Sequence, residues 1–229
     1  MSTAKWKVSN SLAANLSTRV QEAMTIDKTE AARRQLETAI DLYFDDADSL
    51  SVHTLAFASL KVLFDLYPHR NQDGFAAQLD GIIKKEGWKA MSGVANFLKH
   101  ADRDPDALLA PHHPQQAMSI IGLATLLYHR ITGDLSLKMR AFDYWVEELG
   151  YEDLEIEELD TDQERVQAFA DHRAQIRALP HDKMMAVAKS QYRFFLTHFE
   201  KLQGIVRQAE IDGLSPTELL DQQIGAVRK

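Results

Sequence analysis

The sequence predicts an all-α protein, a single bundle of about eight helices with no sheet. Three observations lead to this fold class. Most long segments repeat apolar residues every three or four positions, which is the spacing of one helix face. No segment has a convincing strand pattern. Of the 229 residues, 45% are hydrophobic, which is enough to form one core of ordinary size.

The first two predicted helices cover 29–44 and 49–67. In the first, Thr29 is a candidate N-cap and five residues share one inner face. These residues are Ala32, Leu36, Ala39, Ile40 and Tyr43. The second segment is apolar over most of its circumference, which is typical of a helix in the middle of a bundle. Pro68 is expected to end it, because the residue before a proline disfavours helical geometry.

The remaining helices follow from the same periodicity. They are expected over 72–85, 86–102, 115–130, 135–149, 162–179 and 181–203. The first two of these are separated by a break or bend near Gly87, and Gly150 follows the fourth as a typical C-terminal signal. Pro180 separates the last two, as in a helical hairpin. The helices at 49–67 and 115–130 are expected to form the buried central pair.

Acidic residues are concentrated in one stretch. Residues 147–164 hold ten acidic residues and no basic one, while the rest of the chain has 26 basic and 24 acidic residues. The net charge of −8 is therefore a local feature, and it opposes an anionic ligand elsewhere only weakly. The predicted organisation is an N-terminal arm at 1–28, a main helical bundle at 29–150, an acidic linker at 151–161 and a C-terminal helical hairpin at 162–229 packed on the bundle.

The composition excludes several function classes. There is no cysteine, so disulfides, thiolate catalysis and cysteine-based zinc sites are ruled out. The first eight residues lack the apolar core of a signal peptide. The longest apolar run, 120–128, is interrupted by Gly122 and Thr125 and is too short to span a bilayer. We therefore expect a cytoplasmic protein with no membrane partner.

The segment 94–105 carries the sharpest functional signal. As a helix, it would place Val94, Phe97, Leu98 and Ala101 on an apolar stripe. The other face would carry Asn96, Lys99, His100 and Arg103 at the same offsets, without a carboxylate. Such a row suits a phosphate: His100 is the candidate acid or base, and Lys99 or Arg103 the candidate phosphate ligand. The alternative is a solvated helix end, where basic side chains interact favourably with the helix dipole.

This segment resembles the signature of the HEPN superfamily (higher eukaryotes and prokaryotes nucleotide-binding). That signature has an arginine, commonly followed by asparagine, and a histidine four to six positions further on. Asn96 and His100 fit the asparagine and histidine, and Ala95 stands at the arginine position. The resemblance implies an all-helical bundle that binds nucleotides or RNA, or cleaves RNA. Because the family's arginine pairs with the histidine, its replacement implies a binding or regulatory member as readily as an active nuclease.

The nine histidines also allow a metal site to be considered. His112 and His113 lie between prolines and are weak candidates for a metal together with His100 or His53. The Glu-x-x-His and His-Glu-x-x-His spacings of helical metal sites are absent. His53 shares a face with apolar residues, which favours a hydrogen-bonded core histidine. No cofactor is expected from these patterns.

Three function classes therefore stay open, and whether the protein is an enzyme is undecided. The first is a nucleotide- or RNA-binding, HEPN-like protein. The second is a non-catalytic interaction protein, in which 147–164 contacts a basic partner and an aromatic seam forms a homodimer. The seam residues would be Tyr192, Phe195, Phe199 and Leu202. The third is a helical-bundle enzyme with a histidine-bound metal, formed by His100, His112 and His113.

Overall fold

The predicted fold class is confirmed. The computed structural model describes residues 25–100, 102–103, 105–110, 112–113, 115–149 and 163–213. Within these residues there are seven α-helices and no strand. The helices are α1 Lys28–Phe44, α2 Ser49–Arg70, α3 Phe75–Lys99, α4 Gln115–Thr132, α5 Leu137–Leu149, α6 Gln163–Arg177 and α7 His181–Asp212. Residues 1–24 of the predicted arm, the predicted linker 151–161 and the last part of the predicted hairpin lie outside the described residues.

The core is formed mainly by α1, α2 and α4. These helices pack on one another most extensively, and α2 also contacts α3. Leu36, Leu60, Ile120 and Leu127 are completely buried between them. The packing of α2 against α4 is the one that their apolar sequences predict. The interior of the bundle therefore forms where helices apolar on several sides meet.

Helix α2 is both long and strongly apolar. Among the helices of the described residues, it alone is long and apolar enough to cross a membrane by length and composition. The core helix of a soluble protein passes the same test. Here α2 lies against α1, α3 and α4, and its buried face includes His53 and Ser59.

The prediction that Pro68 ends α2 is wrong, because the helix continues to Arg70. Pro68 lies in the last turn of α2 and has no amide hydrogen to donate to the preceding turn. The helix is completed by the Asn71 amide, which donates to the Tyr67 carbonyl at 2.8 Å. Pro68 therefore lies inside the last turn of α2 and does not end the helix.

A polar cluster connects the end of α2 to the end of α4. The Tyr67 hydroxyl donates to the Asp73 carboxylate at 2.7 Å, and the Arg130 guanidinium donates to both groups at 2.8 Å. Arg130 also lies 4.0 Å from the centre of the Phe75 ring. The hydrogen bonds from Tyr67, the Phe75 amide and Arg130 lower the pKa of Asp73 to about 2. This cluster holds the turn between α2 and α3 against the bundle.

Helix α3 is broken near the predicted position. The backbone of Lys84 has φ 56° and ψ 170°, so two helical segments meet there. Gly87 follows one turn later, and a Cβ atom at this position would lie 2.9 Å from Cγ2 of Ile83. A side chain does not fit at Gly87 while Ile83 keeps its place. The break that we predicted near Gly87 is therefore confirmed, and it lies at Lys84, three residues before the glycine.

Alanine substitutions at two glycines of α3 should have opposite effects. Gly81→Ala should raise the free energy of unfolding by up to about 1 kcal/mol, because alanine is the better helix former and its Cβ meets no atom within 4 Å. Gly87→Ala should lose this gain and lower stability, because Cβ meets the branched Ile83 side chain. Urea unfolding of both variants measures the difference. Equal stabilisation by the two substitutions would contradict the proposed clash.

Helix α7 is attached to α1 by aromatic and charged contacts. The Tyr192 ring stacks on Phe44 with centroids 4.2 Å apart, and its hydroxyl donates to Asp41 at 2.7 Å. Lys189 forms an ion pair with Asp45 at 2.8 Å. Tyr192 is only 7% exposed, so it faces the bundle and not a seam between two copies. The side chain of Leu202, also predicted for that seam, lies outside the described residues.

Candidate functional site

The predicted polar row is not continuous. Helix α3 ends at Lys99, and His100 is its C-cap, with an amide that donates to the Asn96 carbonyl at 3.1 Å. Arg103 lies beyond the helix, in a turn closed by its amide and the His100 carbonyl at 2.9 Å. The prediction of a helix to 102, with all four side chains on one face, is therefore wrong for Arg103. A helix end one turn earlier than expected separates it from the others.

Asn96 lies in a groove of about 530 Å³ between α3, the following loop and the start of α4. The polar lining residues are Lys89, Asn96, His112 and Gln116, and the apolar ones are Ala90, Gly93, Val94, Leu109 and Ala110. Lys99, His100 and Arg103 are not among them. The structure thus brings Asn96 together with His112, and the other three predicted site residues do not line the groove.

Two polar groups of the groove come from one face of α3. Lys89, Gly93 and Asn96 are spaced by four and three positions, so they lie above one another on the helix. Gly93 has no side chain, and nothing lies within 4 Å of where its Cβ would be. The glycine therefore leaves the surface between Lys89 and Asn96 open. This spacing is a signal that would have pointed to Lys89 from the sequence.

The groove is cationic. Within the described part of the chain, Lys89, Lys99 and Arg103 form no ion pair with a carboxylate. The nine lining residues include a lysine, a histidine and two amides but no aspartate or glutamate. The Asn96 amide donates to Ser92 at 3.2 Å, which leaves its oxygen and second N–H available. Such a surface attracts an anion.

Two histidine rings meet behind this groove. The centroids of His53 on α2 and His112 in the loop are 5.0 Å apart, with the rings at 71°. His53 is completely buried, and its Nε2 lies 2.7 Å from the Met91 carbonyl oxygen. Because a carbonyl only accepts hydrogen bonds, Nε2 carries the proton, and Nδ1 of the neutral ring has a free lone pair.

These rings contain buried nitrogens without a hydrogen-bond partner among the described residues. They are Nδ1 of His53 and both nitrogens of His112. Such an unpaired buried group costs about 1–3 kcal/mol, so each one calls for an explanation. Burial lowers the pKa of His53, a nearby charge on His112 lowers it further, and the hydrogen bond to Met91 opposes both. His53 is therefore neutral at neutral pH.

The structure separates the two other histidines considered for a metal from this pair. His113 is exposed, and it does not line the groove. His100 caps α3, outside the lining residues. Within the described residues, no group of three or more His, Cys, Asp or Glu side chains lies in a position to hold a metal ion. The predicted set of His100, His112 and His113 is therefore not assembled.

A second cavity lies at the same end of α2, between α1, α4, α5 and α7. It has a volume of about 260 Å³ and is mostly apolar. Met118, Met184 and Met185 contribute to its lining, and His181 with Asp46, 3.3 Å apart, provides polar groups. Its lining contains no lysine or arginine. This cavity therefore suits an apolar ligand better than a phosphate group.

Comparison of the chain with known proteins identifies no relative. No family model matches the chain, and neither a curated protein nor a solved structure matches it. The groove itself is an open surface lined by a lysine, two amides and a histidine.

Proposed function

We propose that this protein binds a phosphate-bearing ligand, a nucleotide or a single RNA strand, in the groove between α3 and α4. One observation carries the proposal. A lysine, a histidine and two amides line one concave surface, and none of the described lining residues is a carboxylate. Amines and amides are the groups that proteins use to bind phosphate and ribose oxygens. Lys89 is the phosphate ligand, and Asn96 and Gln116 are the hydrogen-bonding partners of sugar or base.

The size and apolar part of the groove support the same ligand class. Small-molecule sites measure about 300–1,000 Å³, and this groove measures about 530 Å³. Val94, Leu109 and Ala110 form an apolar part beside the polar residues. A base needs such a surface for its face, while its edge and the phosphate need hydrogen-bond donors. The groove offers both within the dimensions of one nucleotide.

The HEPN-like segment favours binding over cleavage. Asn96 is the residue of that signature that lines the groove, and Ala95 replaces the arginine that the family pairs with its histidine. His100 lies at the helix end, outside the lining residues. The imidazole that lines the groove is His112. If RNA is cleaved here, His112 is the candidate for proton transfer, and His100 is not.

A binding assay tests the proposal directly. AMP, ATP and a short labelled RNA are titrated in the presence of EDTA, and calorimetry or fluorescence anisotropy follows binding. We expect Lys89→Ala to weaken binding about tenfold, because one charged hydrogen bond is lost. The matched control is Lys28→Ala on α1, a lysine outside the groove. Affinity should also fall between 50 and 200 mM salt, as expected for phosphate contacts.

Three outcomes of this assay are informative. Equal affinities of the Lys89→Ala and Lys28→Ala variants would contradict the groove as the binding site. Absence of binding by all three probes would contradict the ligand class. Cleavage of the labelled RNA that is lost in His112→Asn and kept in His100→Asn would extend the proposed function from binding to catalysis.

A further inference from the structure

We propose that His53 and His112 form a two-histidine site for a divalent first-row transition-metal ion, Zn²⁺ or Cu²⁺. The proposal does not rest on phosphate binding in the groove. It rests on three buried ring nitrogens that have no hydrogen-bond partner among the described residues. Imidazole nitrogen is the ligand that these ions share.

The environment of His53 is that of a metal ligand. Its Nε2 donates to the Met91 carbonyl at 2.7 Å, and metal-binding histidines commonly donate their second N–H to a backbone carbonyl or a carboxylate. This bond fixes the ring orientation and leaves the lone pair on Nδ1. Because His53 is fully buried on α2, the ring is held by the core and not by a mobile loop.

The distance between the two rings agrees with a shared ion. A zinc–nitrogen bond of about 2.1 Å places the metal about 3.2 Å from each ring centre, so two rings at a tetrahedral angle have centres about 5 Å apart. The observed separation is 5.0 Å. His112 also lines the groove, so the pair lies next to a surface that is open to solvent.

The protein supplies two ligands to this ion. No third His, Cys, Asp or Glu of the described residues joins them, so water or a bound ligand completes the coordination. Two protein ligands are fewer than the four of a structural zinc site and the three of a catalytic one, so we expect an exchangeable ion. Mg²⁺ is not expected to bind, because it prefers oxygen ligands in octahedral geometry.

The test uses untagged full-length protein freed of metal by EDTA and then of EDTA. Zn²⁺, Cu²⁺ and Mg²⁺ are titrated by calorimetry, and long-range ¹H–¹⁵N spectra follow the histidine ring nitrogens. We expect one Zn²⁺ or Cu²⁺ per chain, no Mg²⁺, and shifts of the His53 and His112 ring signals together. His112→Asn should weaken zinc binding at least about tenfold. His113→Asn, the adjacent exposed histidine, should leave it unchanged.

The variants also keep the two proposals apart. Lys89→Ala should keep its zinc affinity while its nucleotide affinity falls about tenfold, and the nucleotide titrations contain EDTA. Melting temperatures show whether each variant is folded. Zinc affinity that is unchanged in His112→Asn, or reduced equally in His113→Asn, would overturn the metal site. A scalar coupling across a hydrogen bond between the two rings, with no shift on adding zinc, would overturn it as well.

Discussion

Replacing Leu127 with alanine is expected to lower the free energy of unfolding by about 3 kcal/mol, within the range of about 2–5 kcal/mol for a buried leucine. Leu127 is 0% exposed on α4, in the core shared with α1 and α2. Truncation removes apolar contacts and leaves a cavity that close-packed helices fill only in part. Equilibrium unfolding in urea measures the loss as a lower transition midpoint with an unchanged slope.

The adjacent leucine provides a matched control. Leu126 is 41% exposed and occupies the same helix with the same chemistry. Leu126→Ala should cost less than about 1 kcal/mol, because a large part of its surface already contacts water in the folded state. Similar losses at the two positions would mean that this face of α4 is not packed as the structure describes, and would place the core elsewhere.

The second large effect concerns acid stability. The lowered pKa of His53, which has its cause chiefly in burial, means that the unfolded chain binds a proton more readily than the folded protein. Stability therefore falls as the pH drops below the ordinary value of 6.5 toward the folded pKa. Within this pH window, His53 alone can lower the free energy of unfolding by up to about 1.4 kcal/mol for each unit by which the pH falls. Above pH 6.5 the dependence of stability on pH from this group fades, and it vanishes once the unfolded chain is also neutral at this histidine.

The measurement is the free energy of unfolding as a function of pH, in EDTA. His53→Gln, which keeps an N–H for the Met91 carbonyl, should show a shallower loss between pH 6.5 and 5 than the unsubstituted protein. His129→Gln removes an exposed histidine and serves as the control. It shows how far the loss of a histidine that is not buried changes the dependence of stability on pH. A His53→Gln curve parallel to that of the unsubstituted protein would contradict a buried, neutral His53.

Much of the fold follows from local sequence because helix periodicity is a local property. The apolar faces of α1 and α4 are visible in the spacing of residues such as Leu36, Ile40 and Ile120. Pro180 lies in the connection between α6 and α7, as predicted. The predicted end of α2 at Pro68 is wrong because the rule disfavours helical geometry at the residue before a proline without forbidding it, and α2 keeps that geometry at Tyr67.

The candidate site was predictable only in part, because it is made by tertiary contacts. Asn96 and His112 were singled out separately from the sequence, and the fold places both on the groove. His53 and His100 were both named as possible partners of His112, and the fold brings His53 on α2 to it. Sequence spacing does not choose between the two, because the contact joins a loop to a separate helix. Arg103 was grouped with Asn96 by helical offsets that stop applying once the helix ends at Lys99.

The groove takes its residues from three separate stretches of chain, around Lys89 to Asn96, Leu109 to His112, and Gln116. An unfolded chain does not bring these stretches together. Any compound that occupies the groove therefore stabilises the folded state, by about 2.7 kcal/mol at a concentration one hundred times its Kd. Melting temperatures recorded against a panel of nucleotides, RNA fragments and metal salts can thus rank natural ligands before any activity is known.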